Sequence, residues 1–245
     1  MADPIEQARE LLARAARVVV FTGAGVSADS GVPTFRGASA SALWGNYDPQ
    51  KLASASGFAS DPKLVYDWYN WRRTQLANIQ PNAAHQAIAT LQSGGATVIT
   101  QNVDGLHERV APAGASPILR LHGTIVADRC CNDRCDHTEQ VDLENPPPLR
   151  ECPRCGAYLR PAVVWFGEHL DMRIWQAAEA VCRAADVMLV VGTSGEVYPA
   201  AGLVQAAARH GARTILVNLE PGGLDGQVDV AILGRASEIV PGIIP

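Results

Sequence analysis

No apolar run in this sequence approaches the roughly 18 residues of a membrane-crossing helix, and the longest, such as Val187–Val191, are strand-sized. There is no excess of positive charge. Twenty Lys and Arg stand against 25 Asp and Glu, a net charge of −5, so broad nucleic-acid binding has no electrostatic footing. The opening Met-Ala-Asp-Pro carries neither a basic nor an apolar stretch, and no secretory signal is expected. Cysteine is scarce, with six in 245 residues, but four of them fall in two pairs between Cys130 and Cys155. Without a secretory signal, that clustering favours metal over disulfides. With 47% hydrophobic and 18% charged residues, the chain is expected to be a cytoplasmic protein. It should form one large domain, or one with a smaller insertion, and have no membrane partner and no direct nucleic-acid partner.

What is present centres on Val18–Gly37, VVVFTGAGVSADSGVPTFRG. A short apolar strand runs into Gly23-Ala24-Gly25, and Ala28 completes G-x-G-x-x-A, the pattern of a dinucleotide-binding turn. Glycine lets the backbone turn tightly and a pyrophosphate approach it, and the N–H groups of a following helix start meet the anion. The usual second strand with its ribose-binding acid is missing. Thr34, Phe35, Arg36 and Gly37 stand there instead.

The rest alternates helices and strands. Asp3-Pro4 opens a helix, with Glu6 placed for a capping box. Asp61-Pro62 opens another, on which Tyr69 and Arg72 share one face and can reach one ligand, or simply stack on a surface helix. His85 lies on an apolar helical face and reads as structural. Thr97–Thr100 is a buried strand ending in Gln101-Asn102-Val103-Asp104-Gly105, polar groups where open α/β sheets bind ligands, although Asn-x-Asp-Gly also makes turns for local reasons. Leu119–Leu121 is a short strand ending in His122-Gly123, which makes His122 a better candidate base than His85. Val187–Val191 ends in Gly192-Thr193-Ser194, a small polar turn suited to ribose or phosphate. Thr214–Val217 ends in Asn218-Leu219-Glu220, where Glu220 can supply the missing acid. Val228–Ala236 reads as helical.

Cys130-x4-Cys135 and Cys152-x2-Cys155 have the spacing of a four-thiolate zinc site, with Cys131 an alternative first ligand. Four thiolates leave no open position, so the metal is expected to be structural.

The expected fold is α/β: a doubly wound parallel-sheet, Rossmann-like domain from residues 1–37, 81–123 and 161–245. A small zinc-binding and helical domain is expected from two insertions without sheet strands, 38–80 and 124–160.

Taken together, GAGVSADSGVPTFRG, TQNVDGLH, the LHG around His122, the four cysteines, VVWFGE, GTS and NLE resemble the sirtuin family of NAD-dependent protein deacylases. The resemblance spans Gly23 to Glu220. Thr34, where many members have Asp, and Tyr69-Asn70-Trp71-Arg72 resemble the branch with a Tyr-x-x-Arg acyl pocket, and Ala53 matches that branch's small residue more loosely.

The resemblance implies that Gly23, Ala24, Gly25, Ser27, Phe35 and Arg36 line an NAD site, with Phe35 shielding the reacting ribose. It implies that Gln101, Asn102 and Asp104 hold the nicotinamide end, and that Gly192, Ser194, Asn218 and Glu220 hold the adenosine end, with Ala236 near adenine. His122 and Asn102 would be catalytic, His122 as general base. Tyr69, Arg72 and Ala53 would form the acyl pocket, and Val164, Phe166 and Gly167 would pair with acylated lysine peptide by strand addition. Cys130, Cys135, Cys152 and Cys155 would hold one structural Zn2+. NAD would be consumed, giving nicotinamide, free lysine and O-acyl-ADP-ribose. A carboxylate-ended acyl group such as succinyl or malonyl would suit Arg72 as an acetyl group does not. Mono-ADP-ribosyl transfer stands as the alternative, because it uses the same activated ribose carbon.

Overall fold

The structure, a computed structural model, describes residues 3–33 and 49–245. Thr34, Phe35, Arg36 and Gly37 lie outside the described residues.

Six strands form a parallel sheet in the order β3-β2-β1-β7-β8-β9. They are β1 (Val18–Thr22), β2 (Thr97–Thr100), β3 (Leu119–Arg120), β7 (Val187–Val191), β8 (Arg213–Asn218) and β9 (Val230–Leu233). The two central strands, β1 and β7, pair in register from Val18 opposite Val187 to Thr22 opposite Val191. Helices cover both faces of this sheet, which is why its central strands are apolar runs rather than alternating ones. On one face lie α1 (Pro4–Arg14), α6 (Ala83–Ser93) and α10 (Ala236–Ile243), which bury Leu12, Ile88 and Val240 against Val20, Leu189 and Ile215. On the other lie α8 (Met172–Ala184) and α9 (Gly202–Arg209), which bury Ala178, Cys182, Leu203 and Ala207 against Phe21, Met188 and Val190. The doubly wound, Rossmann-like expectation is met.

Two details differ from the expectation. Val228–Ala236, read as helical, contains β9, an edge strand paired only with β8, and the helix begins at its far end with Ala236. Val230 and Ile232 point into the core while Ala231 and Leu233 are exposed, a period of two that four apolar letters do not reveal. Glu6 makes no capping box. It pairs with Arg9, and Asp3 alone caps the Ile5 N–H.

A second unit packs beside the sheet. It combines the helices α3 (Pro49–Leu52), α4 (Ala55–Ser60) and α5 (Pro62–Ala77) with a three-stranded antiparallel sheet, β5-β4-β6. These strands are β4 (Gly123–Cys130), β5 (Thr138–Gln140) and β6 (Leu159–Val163). The stretch expected to lack strands therefore carries them, and the boundary expected at Arg160 falls inside β6. Along β4 two buried positions follow each half-buried one, with a register shift between Gly123 and Asp128, so the strand gives no clean alternation to read. Phe58, Val65, Trp68 and Tyr69 from the helices and Ile125, Val163 and Trp165 from the strand side share one core. Beside it, Arg73 is wholly buried with Asp128, Nη2 to Oδ1 2.6 Å, and Tyr66 donates its hydroxyl to the other carboxylate oxygen. This buried pair ties α5 to β4. Lastly, α2 (Gly25–Ala28) follows β1, and α7 (Leu106–Val110) follows β2.

Candidate active site

A cavity of about 1150 Å³ lies where the carboxyl ends of the parallel strands face the smaller unit. The sheet order reverses between β1 and β7, and ligands of doubly wound sheets bind at such a switch point. Its floor is made by Gly23, Ala24 and Gly25 after β1, Gln101 and Asn102 after β2, Gly192 and Ser194 after β7, Asn218 and Glu220 after β8, and Ala236 at the start of α10. The opposite wall is Ala53, Tyr69, Arg72 and the stretch from Val163 to Leu170, with His122 between the two.

The glycine turn is needed for a different contact from the one its motif suggests. A Cβ on Gly23 would meet the Gly192 carbonyl oxygen at 2.7 Å, and one on Gly25 would meet the Gly192 Cα at 2.7 Å. Gly192, with φ +64°, could carry no side chain either, because its Cβ would lie 2.3 Å from the Val26 nitrogen. The loops after β1 and β7 thus cross in direct backbone contact. The Gly23 and Gly25 amides are spent there, on the carbonyls of Val191 and Gly192. Ala24 is the turn residue whose N–H has no acceptor among the described residues, and α2 is only four residues long. In this turn, the amide left for an outside acceptor is that of Ala24.

Behind the floor, Asn102 donates from Nδ2 to Ser27 Oγ at 3.1 Å, and Ser27 donates to Asp104 Oδ2 at 2.8 Å. Ser27 and Asp104, expected at the NAD site, are buried and do not line the cavity; they lie behind Asn102 and hold its side chain. Burial pushes the Asp104 carboxyl up, against the Leu106 N–H and Ser27 hydroxyl that bind its charged form. His85 closes the network from Nε2 to Ser27 Oγ at 3.3 Å, a structural role as its position suggested. Gln101 donates to Thr193 Oγ1 at 3.0 Å and joins the ends of β2 and β7.

His122 sits at the cavity with Nδ1 3.1 Å from the Gln101 carbonyl oxygen. A carbonyl only accepts, so Nδ1 carries the proton and the lone pair is on Nε2. Burial holds its pKa below the usual imidazole value, partly offset by that hydrogen bond. The ring is a neutral base at pH 7.

On the opposite wall, Arg72 and Tyr69 are both buried and both line the cavity. The Arg72 guanidinium lies 5.0 Å from the Trp68 ring centre and 5.5 Å from that of Tyr69, so it stacks on aromatics and faces the cavity at once. Burial lowers its pKa. Val164, Phe166 and Gly167 also line the cavity, but the first two amides are taken, Val164 N–H by the His122 carbonyl and Phe166 N–H by the Ala53 carbonyl, each at 2.9 Å. A peptide adding here must use the other backbone groups. A second rim was not foreseen from the sequence: Val197 and the exposed Tyr198 face the same opening. An aromatic beside Pro199, just after the small polar turn, was the available signal.

Away from the cavity, the sulfurs of Cys130, Cys135, Cys152 and Cys155 all lie within 4.8 Å of one another, with Cys130 to Cys155 at 3.4 Å and Cys135 to Cys152 at 3.8 Å. A tetrahedron of Zn–S bonds near 2.3 Å has edges of about 3.8 Å, so the donor set and its size fit Zn2+. Cys131 is exposed and stands outside the group, which resolves the choice of first ligand.

Comparison with known proteins agrees with this geometry. Residues 23–199 match the model of the Sir2 family. An "NAD-dependent protein deacylase 2" of Pyrobaculum aerophilum is 47% identical over 96% of this chain and 92% of its own. A crystal structure of a Sir2 homolog–NAD complex superposes with a TM-score of 0.88 at 40% identity, over 98% of this chain and 92% of that one. Sir2Af2 bound to a myristoylated histone peptide superposes with a TM-score of 0.76 at 36% identity, over 100% and 96% of the two chains. The chain belongs to the Sir2 family.

Proposed function

We propose that this protein is an NAD-dependent protein-lysine deacylase that removes acetyl and also succinyl or malonyl groups, giving nicotinamide, free lysine and O-acyl-ADP-ribose. The observation that carries this reading is one cavity lined by a neutral His122, by Asn102 and by the buried Arg72. The names of the relative and of the NAD-bound and peptide-bound structures support it. NAD supplies an electrophilic ribose carbon, whose bond to nicotinamide is lost as the acyl oxygen takes its place.

The residues divide the work. Ala24 offers its amide to the pyrophosphate, with Gly23, Gly25 and Gly192 making room. Ser194, Asn218 and Glu220 take the adenosine end, and Ala236 packs near the adenine. Asn102 and Gln101 hold the nicotinamide end, with Ser27 and Asp104 orienting Asn102. His122 Nε2 takes a proton from a ribose hydroxyl, so that this oxygen can attack the acyl carbon, and one water then supplies the new acyl oxygen as the bond to the lysine nitrogen breaks. Phe35 and Arg36, outside the described residues, keep the roles that the family resemblance gives them. Cys130, Cys135, Cys152 and Cys155 hold one structural Zn2+, which fastens the β4 end of the smaller unit.

Arg72 gives the acyl preference. A guanidinium binds a terminal carboxylate bidentately, and Tyr69 adds a hydrogen bond, whereas an acetyl group offers neither a charge to pair. A charge-assisted contact contributes roughly 1.5–3 kcal/mol, about 10- to 150-fold in selectivity. A panel of acetyl-, malonyl- and succinyl-lysine peptides with NAD, read by nicotinamide release, tests this. Turnover of acetyl peptides alone would leave the deacylase and remove the acidic-acyl preference.

A further inference from the structure

Trp165 is buried in the wall of the cavity and donates its indole N–H to the Tyr69 hydroxyl oxygen at 2.9 Å. Tyr69 is itself 1% exposed, and no acceptor for its own O–H is found among the described residues. The indole is held from its other side. Arg160, 4% exposed, places its guanidinium carbon 3.3 Å from the Trp165 ring centre. Both Arg160 Nη atoms bind the Glu168 carboxylate, and Glu168 also accepts the Trp165 backbone N–H at 2.8 Å.

The order of donors has a chemical consequence. A phenol oxygen that accepts one strong hydrogen bond has a more polarised O–H, and a cation on the indole face makes the indole N–H a better donor. Burial raises the Tyr69 pKa, so the group is a phenol at neutral pH and has a proton to give. Tyr69 and Arg72 line the same cavity, with the Arg72 guanidinium carbon 5.5 Å from the Tyr69 ring centre, so the donor at the end of this chain belongs to the wall that carries the cation.

We propose that Trp165, fixed by Arg160 and Glu168, is a positioning residue for acyl specificity: its N–H fills the acceptor side of Tyr69 and leaves that hydroxyl as a preset donor to an acidic acyl end. This rests on the reading of Tyr69 and Arg72 as the acyl pocket. It adds that the preference depends on a residue which itself makes no contact with the acyl carboxylate. An acetyl group has nothing to receive from the Tyr69 proton, so loss of the relay falls selectively on acidic acyl chains.

The test is a double-mutant cycle on the full chain, with kcat/KM measured for succinyl- and acetyl-lysine peptides in the wild type, Trp165→Phe, Tyr69→Phe and the double variant. Trp165→Phe should lower the succinyl-to-acetyl ratio about 3- to 10-fold, mainly through the KM for succinyl peptide, as expected for one neutral hydrogen bond. In the Tyr69→Phe background it should lower the ratio no further, because the relay then has no end. Equal loss on both peptides, or an additive loss in the double variant, overturns the relay and leaves the acyl pocket intact. Should Trp165→Phe fail to fold, Glu168→Gln, which loosens the hold on the indole, should lower the same ratio, and an unchanged ratio there overturns the proposal. A wild type without succinyl activity overturns the acyl-pocket reading itself, and the relay with it.

Discussion

His122 Nδ1 points at the Gln101 carbonyl oxygen 3.1 Å away, so the backbone at the end of β2 fixes the tautomer of the ring at the start of β4. Gln101 thus sets the His122 ring, while the adjacent Asn102 is held by Ser27 on α2. His122→Ala should abolish acyl removal, with peptide turnover as the measurement. Because burial holds the pKa below about 6.5, wild-type kcat/KM should be flat above neutrality. It should fall as the pH drops through a value below 6.5, where Nε2 gains a proton and stops being a base. A midpoint above 7 would contradict this assignment.

Arg72→Met should lower kcat/KM on succinyl peptide by about 10- to 150-fold while changing acetyl peptide much less. Steady-state rates on both peptides check it. Parallel loss on both would show that the guanidinium supports the fold through Trp68 and Tyr69 and does not read the acyl end.

Zinc removal should open the smaller unit while the parallel sheet stays folded. The four thiolates close the far end of β4 and β6, a part of the fold whose apolar cluster is only Cys130, Cys152, Leu159 and a few half-buried neighbours. With so little apolar area, the metal supplies much of the local stability. Chelation should release one zinc per chain and reduce the near-ultraviolet signal. An unchanged signal after complete release would contradict a structural role.

Asp128→Asn should destabilise the protein by about 3–5 kcal/mol, because it leaves Arg73, wholly buried, without its counter-charge. Thermal or denaturant unfolding measures this. Arg150 also reaches Asp128, with Nη2 to Oδ2 at 3.1 Å, so the loss should be felt in the zinc-bearing segment as well as on α5.

Mild acid should weaken the fold before carboxylates titrate. His85 is held down to about 4 by burial, and His107 to about 3 by burial and then by the neighbouring His85. Unfolded imidazoles bind protons below about pH 6.5 while these two stay neutral, so the unfolded state gains protons first and stability declines as pH falls. At pH 5 each costs about 2 kcal/mol. His107→Gln should flatten the dependence of unfolding free energy on pH between 6.5 and 5.

Much of this site was legible in the sequence because its chemistry sits at the ends of apolar runs. Asn102, Ser194 and Glu220 each closely follow a buried strand and His122 a short half-buried one, and a parallel sheet gathers such ends at one edge. The cysteine spacing found its four ligands for the same local reason. Other features were set by contacts between distant segments. The Gly23 and Gly25 requirement comes from Gly192, far along the chain, so the motif pointed to the right place for an incomplete reason. Strands β4 to β6 alternate weakly because their polar positions, Asp128 and Arg160, are buried in ion pairs, which breaks the inside–outside pattern. That Ser27 and Asp104 stand behind Asn102 and hold its side chain is visible only in the packing.

The products formed from labelled NAD and an acyl-lysine peptide decide whether NAD is consumed to free lysine. Mass spectrometry should find nicotinamide, free-lysine peptide and acylated ADP-ribose in equal amounts, with none formed when NAD is omitted. Label retained on protein, with the acyl-lysine intact, would contradict the account and establish ADP-ribosyl transfer in its place.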